Sequence, residues 1–271
     1  MEKKPVYTYN YPHFLTLIIP AYKQHSTIVE NIEALKKVLD TIRYDYEIIV
    51  VIDGHVDASY ELLTKAKIPK TTIIEYEKNH GKSYAIRVGM HYAKGDYVMF
   101  IDSGMEIHPN GISMLIEHME WYGADIIVGS KRHPASQVIY SKMRKFLSFG
   151  YYYLVRLLFH INVRDTQAGI KIFKAKVLRK ILPKLVEKRF AGDLEILVVA
   201  SQCGFTKIYE APIKLDYTFT KLTSAATLSS IWGMLKDTAA IFYRAYIRRY
   251  YIHTKGSHIE STSHIHVKTF K

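Results

Sequence analysis

Two acidic side chains stand on one short stretch of this sequence with spacing suited to a cation site. Asp102 directly follows the apolar run 97–101 (YVMFI), and Glu106 lies four residues further on. A carboxylate where a buried parallel strand ends sits in the crevice that open α/β sheets use for ligands. Two such groups on one loop suit a hard divalent cation, Mg2+ or Mn2+, bridging phosphates. The competing reading is that Asp102 caps the helix beginning near Pro109. Upstream, Lys82, Arg87 and a helix N-terminus near Gly81 would draw phosphate groups to the same place. The Gly81-Lys82-Ser83 run is not a P-loop, because that motif needs a glycine five residues earlier, where Tyr76 stands. No G-x-G-x-x-G follows a strand, so a dinucleotide site is not expected.

The elements that must position these groups are legible as alternating periods. Residues 15–20 (LTLIIP) are a continuous apolar run ended by proline, which reads as a buried parallel strand. The stretch 26–43 carries an apolar stripe at helical spacing, with Ser26 or Thr27 as cap. Strands follow at 47–52, 71–76, 97–101 and 125–128, with helices at 57–67, 81–93 and 111–122 between and after them. Helices near 175–182 and 193–202 and a strand at 206–213 complete the pattern. Strand–helix alternation predicts an α/β fold: a Rossmann-like, doubly wound, mostly parallel sheet with right-handed crossovers. The expected division is an N-terminal extension 1–13, the α/β domain 14–226, a helical segment 227–252 and a disordered polar tail 253–271. His258, His264 and His266 in that tail read as solvated rather than metal-binding.

Charge is distributed unevenly. The chain has 271 residues, 38 Lys and Arg against 25 Asp and Glu, and a formal net charge of +13. That balance implies an acidic partner: nucleic acid, an anionic membrane or phosphorylated substrates. Residues 131–164 hold seven Lys or Arg and no acidic residue, with apolar positions at helical spacing from Ile139 to Leu158. Residues 228–251 repeat the theme. Basic amphipathic helices read as membrane-surface elements, with a solvated basic face over an ordinary core stripe as the alternative. Nucleic acid is not the expected partner, because the cations accompany apolar stripes rather than exposed aromatics on a sheet. The single cysteine, Cys203, excludes an intrachain disulfide and fits a reducing compartment. Neither a signal peptide nor a run long enough to span a bilayer is evident, so membrane contact is expected to be peripheral.

The stretch 79–102 resembles the family 2, GT-A-type glycosyltransferases, which carry N-x-G-K-G-x-A-x-R-x-G, then A-x-G-D, then a strand ending in D-x-D. Here the matching positions are Asn79, Gly81, Lys82, Ala85, Arg87, Gly89, Ala93, Gly95, Asp96 and Asp102. Pro20-Ala21-Tyr22 and Asp53-Gly54 stand where the family carries its nucleoside-binding loops, P-A-Y-N-E and D-D-G-S-x-D. Three acidic positions of that pattern are replaced, by Gln24, Ile52 and Gly104. Gly129-Ser130-Lys131-Arg132 resembles the family's G-S-R strand end, and Arg144-x-x-x-Ser148 the R-x-x-x-S of its polyprenyl-phosphate hexose synthases. Residues 165–171 (DTQAGIK) resemble D-T-Q-C-G-F-K of the dolichyl-phosphate glucose branch, and Asp193-Leu194-Glu195 its D-x-E.

The resemblance implies a GT-A fold with mid-chain and C-terminal basic amphipathic interface helices. It implies transfer of a hexose from a UDP- or GDP-linked sugar to a polyprenyl or dolichyl phosphate, with inversion, at the cytoplasmic face of a membrane. Asp102 and Asp193 become the expected catalytic residues. Pro20, Ala21, Tyr22, Gln24, Asp53, Gly81, Lys82, Arg87 and Ser103 become the donor-side residues. Arg132, Arg144, Ser148 and Gln167 become the acceptor-side residues, and Asp102 with Glu106 the ligands of Mg2+ or Mn2+. A spacing of four places Arg144 and Ser148 on one helix face, where guanidinium and hydroxyl converge on one anion. Asp193 reads equally as the N-cap of its helix. The replaced acidic positions leave a second reading open, a weakened or inactive relative that binds nucleotide or lipid as a scaffold.

Overall fold

In a computed structural model that describes residues 13–138, 142–189, 191–215, 228–254 and 265–271, the chain builds one sheet covered on both faces. The strands are β1 (Phe14–Ala21), β2 (Asp45–Asp53), β3 (Thr71–Tyr76), β4 (Tyr97–Ile101), β5 (Ile126–Ser130), β6 (Ile170–Lys174), β7 (Ile208–Pro212) and β8 (Ile265–Phe270). Their order across the sheet is β7-β5-β6-β4-β1-β2-β3-β8. The β4-β1-β2-β3 core is parallel, as is β5 with β7, while β6 runs antiparallel to both β4 and β5.

Seven of the eight β1 residues are buried, because successive side chains serve opposite faces and both faces are covered. Ile18 joins Val98 and Phe100 under one helical layer, and Leu17 and Ile19 join Met99 under the other. The second layer contains α1 (Ile28–Leu39), α2 (Ser59–Ala66) and α4 (Gly111–Tyr122). The first contains α3 (Lys82–Tyr92), α5 (Lys142–Phe159), α6 (Ala175–Ile181), α7 (Gly192–Gln202) and α8 (Leu228–Phe242). A π-helical turn (Tyr243–Ile247) and the short α9 (Tyr250–His253) follow α8.

Two strands differ from expectation. β6 was not legible because Lys171 interrupts its apolar run, yet that lysine is fully buried. The tail 253–271, read as disordered, contributes β8 instead: residues 265–270 add an antiparallel edge to β3, pairing Thr71 with Phe270 and Tyr76 with Ile265. The lone edge of β3 supplies the backbone donors and acceptors that this polar segment satisfies. His258 and His264 lie outside the described residues. At α1, Thr27 occupies the N-cap position without a side-chain capping bond.

Candidate functional site

At the carboxyl ends of β1, β2 and β4 lies a cleft of ≈ 410 Å³, lined by Pro20, Ala21, Tyr22, Asp53, Asn79, Gly81, Lys82, Asp102, Ser103, Gly104 and Arg189. Parallel strands ending together make this crevice. One wall is built by Asp53, which is buried and fully engaged. Its Oδ1 accepts from the Tyr76 hydroxyl (2.9 Å) and the His80 N–H (2.8 Å), and its Oδ2 from Asn79 Nδ2 (2.8 Å) and the Gly81 N–H (2.9 Å). Asp53 therefore folds the 79–81 turn that delivers Lys82. Gly81 takes φ 102°, a left-handed conformation open to glycine, and a Cβ there would stand 2.5 Å from the Lys188 carbonyl.

The floor is an alternating chain of charges. Lys171 Nζ donates to Asp193 Oδ1 (2.6 Å) and to the Ala168 carbonyl (2.8 Å). Asp193 Oδ2 lies 3.3 Å from Lys82 Nζ. The Lys82 ammonium straddles Asp102, 2.8 Å from Oδ1 but aligned as a donor to Oδ2 at 3.1 Å. The Phe100 ring underlies both ammonium groups, 5.1 Å from Lys171 Nζ and 5.9 Å from Lys82 Nζ. Exposure rises along the chain, from 0% at the Lys171 side chain and 4% at Asp193 to 22% at Lys82 and 41% at Asp102. Burial alone would raise the Asp193 pKa, yet the Lys171 and Lys82 ammoniums hold it below the usual carboxylate range. Burial pushes Lys171 down. It would do the same to Lys82, but Asp102 and Asp193 outweigh it and hold that ammonium above its ordinary value. Asp193 sits in the first turn of α7 and makes no cap; Asn110, not Asp102, occupies the N-cap position of α4.

Asp102 is anchored from the neighbouring strand. Its N–H donates to the Gly169 carbonyl at 2.9 Å, and a Cβ on Gly169 would fall inside the Asp102 carboxylate. Gly169 is thus needed for close approach, a role the sequence did not disclose. Asp102 Oδ1 is buried and accepts no aligned hydrogen bond, its neighbour being the Lys82 ammonium at 2.8 Å. Glu106 is not among the residues lining the cleft. The loop turns at Met105 (φ 54°), and a bridge between Ile107 and Leu215 carries it toward the residues before position 216. Among the described residues no three His, Cys, Asp or Glu gather as a metal cage.

Of the other expected donor-side residues, Pro20, Ala21, Tyr22, Gly81, Lys82 and Ser103 line the cleft. Gln24 and Arg87 do not. The Gln24 side chain accepts from the Thr27 hydroxyl (3.3 Å), and Arg87 is buried over the Tyr84 ring. Arg189 enters the cleft unannounced, from a loop with no local motif. On the acceptor side, Arg132 donates to Ser148 Oγ and lies over the Phe149 and Tyr152 rings, 5.0 and 5.3 Å away. The Arg144 side chain lies outside the described residues. Gln167 reaches the Tyr151 hydroxyl, which burial pushes up to about 12, while its Nε2 is buried without an acceptor. The arrangement can hold a diphosphate against Lys82 and a second phosphate near Arg132.

A model of glycosyl transferase family 2 matches residues 16–182. A dolichyl-phosphate beta-glucosyltransferase of Dictyostelium discoideum is 27% identical over 246 residues, covering 85% of this chain and 74% of that protein. A Drosophila melanogaster protein of the same name is 30% identical over 202 residues, covering 69% of this chain and 62% of its own length. The fold is similar to glucosyl-3-phosphoglycerate synthase from Mycobacterium tuberculosis, crystallised with Mn2+, UDP and glucosyl-3-phosphoglycerate: TM-score 0.62, 16% identity, 86% of this chain and 79% of that one.

Proposed function

This chain belongs to glycosyl transferase family 2, and from that premise we propose that it moves a hexose from a nucleoside diphosphate sugar onto a dolichyl or other polyprenyl phosphate at a membrane surface. The observation that carries the reading is the half-exposed Asp102 carboxylate held by Lys82 on the floor of the cleft. The relatives' shared name supports glucose and a dolichyl-type acceptor. A UDP-linked donor rather than a GDP-linked one, and inversion at the anomeric carbon, are parts of the same proposal.

The residues divide the work. The donor diphosphate lies at the α3 N-terminus, where Lys82 donates to the oxygens that gain charge as the sugar departs. A phosphate monoester has its second pKa near 6 and is ionised at neutral pH, so no strong general base is required. Arg132, Ser148 and Gln167 orient that phosphate, which converts the encounter into an in-line displacement. Asp193 holds Lys82 and Lys171 in place rather than moving a proton. A Mg2+ or Mn2+ ion would be held by the Asp102 carboxylate, in place of part of its pairing with Lys82. When bound, it neutralises the leaving diphosphate.

Among the described residues no helix is long and apolar enough to cross a membrane. Exposed apolar residues on the paired helices support a lipid-facing surface instead. Tyr153 and Leu157 on α5, Trp232 on α8 and Ile247 beyond it are each more than 60% exposed. The two helices meet through the Tyr151–Thr238 hydroxyl pair and the Phe159–Phe242 rings. Arg156, Arg248 and Arg249, all exposed and close in sequence to these residues, would each add about 1 kcal/mol of attraction to an anionic leaflet. The test is transfer of labelled sugar from UDP-glucose or GDP-mannose to dolichyl phosphate in anionic vesicles, with and without Mn2+. Labelled isoprenoid that needs the metal supports the reading. Nucleotide binding without any labelled lipid favours the scaffold alternative, which Gln24, Ile52 and Gly104 also suit.

A further inference from the structure

A second buried polar cluster joins the C-terminal segment to the donor cleft. Glu195 follows Asp193 by two residues on α7, so the two carboxylates leave the helix on different sides. Glu195 is 1% exposed, and its Oε2 accepts from the Val186 N–H (3.0 Å) and the Glu187 N–H (2.9 Å). Its Oε1 accepts from the Tyr251 hydroxyl at 2.6 Å. That hydroxyl in turn accepts from Arg244 Nε at 3.0 Å, and Arg244 also pairs with Glu187. Lys184 Nζ donates to the carbonyls of Tyr251 (2.6 Å) and Thr254 (2.8 Å). The clamped loop continues to the site: the Lys188 carbonyl accepts from the Tyr84 N–H (3.2 Å), the Arg189 carbonyl from the Ser83 hydroxyl, and Arg189 lines the cleft.

We propose that Arg244, Tyr251 and Glu195 are positioning residues for the donor, bracing loop 185–189 and, through it, the N-terminus of α3 and the Arg189 edge of the cleft. Without Glu195 the Val186 and Glu187 amides lose their acceptor, and a buried donor is not left unpaired without cost. Arg244 stands in a π-helical turn that directly continues α8. The segment that continues α8 and the cleft are therefore joined through one hydrogen-bonded loop. This inference rests on the reading that the cleft holds a nucleoside diphosphate.

Tyr251→Phe removes the linking hydroxyl and keeps the ring; Arg244→Met and Arg244→Lys grade the charge. Each full-length variant is titrated with UDP and GDP, assayed for donor and acceptor KM, and digested with trypsin, which cuts after Lys188 and Arg189. Tyr251→Phe and Arg244→Met are expected to weaken nucleotide binding and raise donor KM about tenfold, which is ~1.4 kcal/mol. Acceptor KM should stay within about twofold and cleavage in the loop should quicken, with Arg244→Lys intermediate. Ile116→Val, a comparable trim in the opposite core, should leave donor KM and loop cleavage at wild-type values. Folded Tyr251→Phe and Arg244→Met proteins with wild-type nucleotide affinity and loop cleavage would overturn the proposal alone. A wild-type chain that binds neither nucleotide would overturn the donor-cleft reading as well.

Discussion

Replacing Asp193 by Asn tests whether the charge chain beneath the cleft is a structural element or a catalytic one. The substitution keeps the shape and one acceptor oxygen but removes the negative charge, leaving the Lys171 ammonium, 0% exposed, with neutral acceptors alone. Breaking a buried ion pair from one side costs about 3–5 kcal/mol, because the remaining charge is buried without compensation. Lys171 has an escape that caps the loss: it can shed its proton. At pH 7 that costs about 4.6 kcal/mol, from 1.36 kcal/mol for each unit below an ordinary lysine near 10.4. The escape gives the variant a distinctive pH dependence. With Lys171 neutral in the folded variant and protonated when unfolded, the unfolded state binds one more proton, so stability rises with pH at about 1.4 kcal/mol per unit up to about pH 10. In wild type the Asp193 carboxylate opposes that escape, so the slope is expected to be shallower. Urea unfolding of both proteins at pH 7 and pH 9 should show the deficit of Asp193→Asn shrinking by roughly 2–3 kcal/mol. A deficit that is constant with pH, or no larger than that of Asp102→Asn, would refute the account.

Asp102 should behave in the opposite way. Its side chain is 41% exposed, so Asp102→Asn is expected to cost no more than about 1 kcal/mol in the same unfolding assay. Labelled-lipid formation by that variant should fall to background. Gly169→Ala places a methyl group inside the Asp102 carboxylate, and a displacement of about 1 Å at a reacting centre costs roughly a hundredfold in rate. The readout is kcat, with thermal unfolding showing the protein still folded. At Gly104 a Cβ would meet nothing within 4 Å, so Gly104→Asp adds a carboxylate beside Asp102 without a clash. The Mn2+ concentration for half-maximal transfer should drop about tenfold, worth ~1.4 kcal/mol.

The half of the chain from β1 to α4 was legible because each element there carries one clear period: apolar runs ended by Pro20, Asp53 or Asp102, and helical stripes between them. Asp102 was legible from position alone, at the end of β4. What escaped required distant partners. β6 is disguised by Lys171, whose burial makes sense only beside Asp193, 22 residues on and in a different element. β8 has no local marker, since its place is set by the free edge of β3 nearly two hundred residues earlier. Arg87 was grouped with Lys82 by motif, yet five helical positions turn a side chain about 140° away, and it faces Tyr84 rather than the cleft. Glu106 does not line the cleft; the backbone turns at Met105 just before it, and single-residue turns of that kind leave no periodic trace.

The loss of the second acidic position and the placement of Lys82 belong to one electrostatic arrangement. A pair of bare carboxylates on the β4 loop would repel an incoming diphosphate until a cation was already in place. Here a single carboxylate carries an ammonium within 2.8 Å, so the local charge is close to balanced before any ligand arrives. Such a site holds a free divalent ion poorly but does not oppose the diphosphate, which brings its own charge and its own oxygen ligands. Lys82 would then be placed to exchange Asp102 for phosphate oxygens without leaving Asp193, which Lys171 holds from its other oxygen. The buried end of the chain is fixed so that the exposed end can change partners.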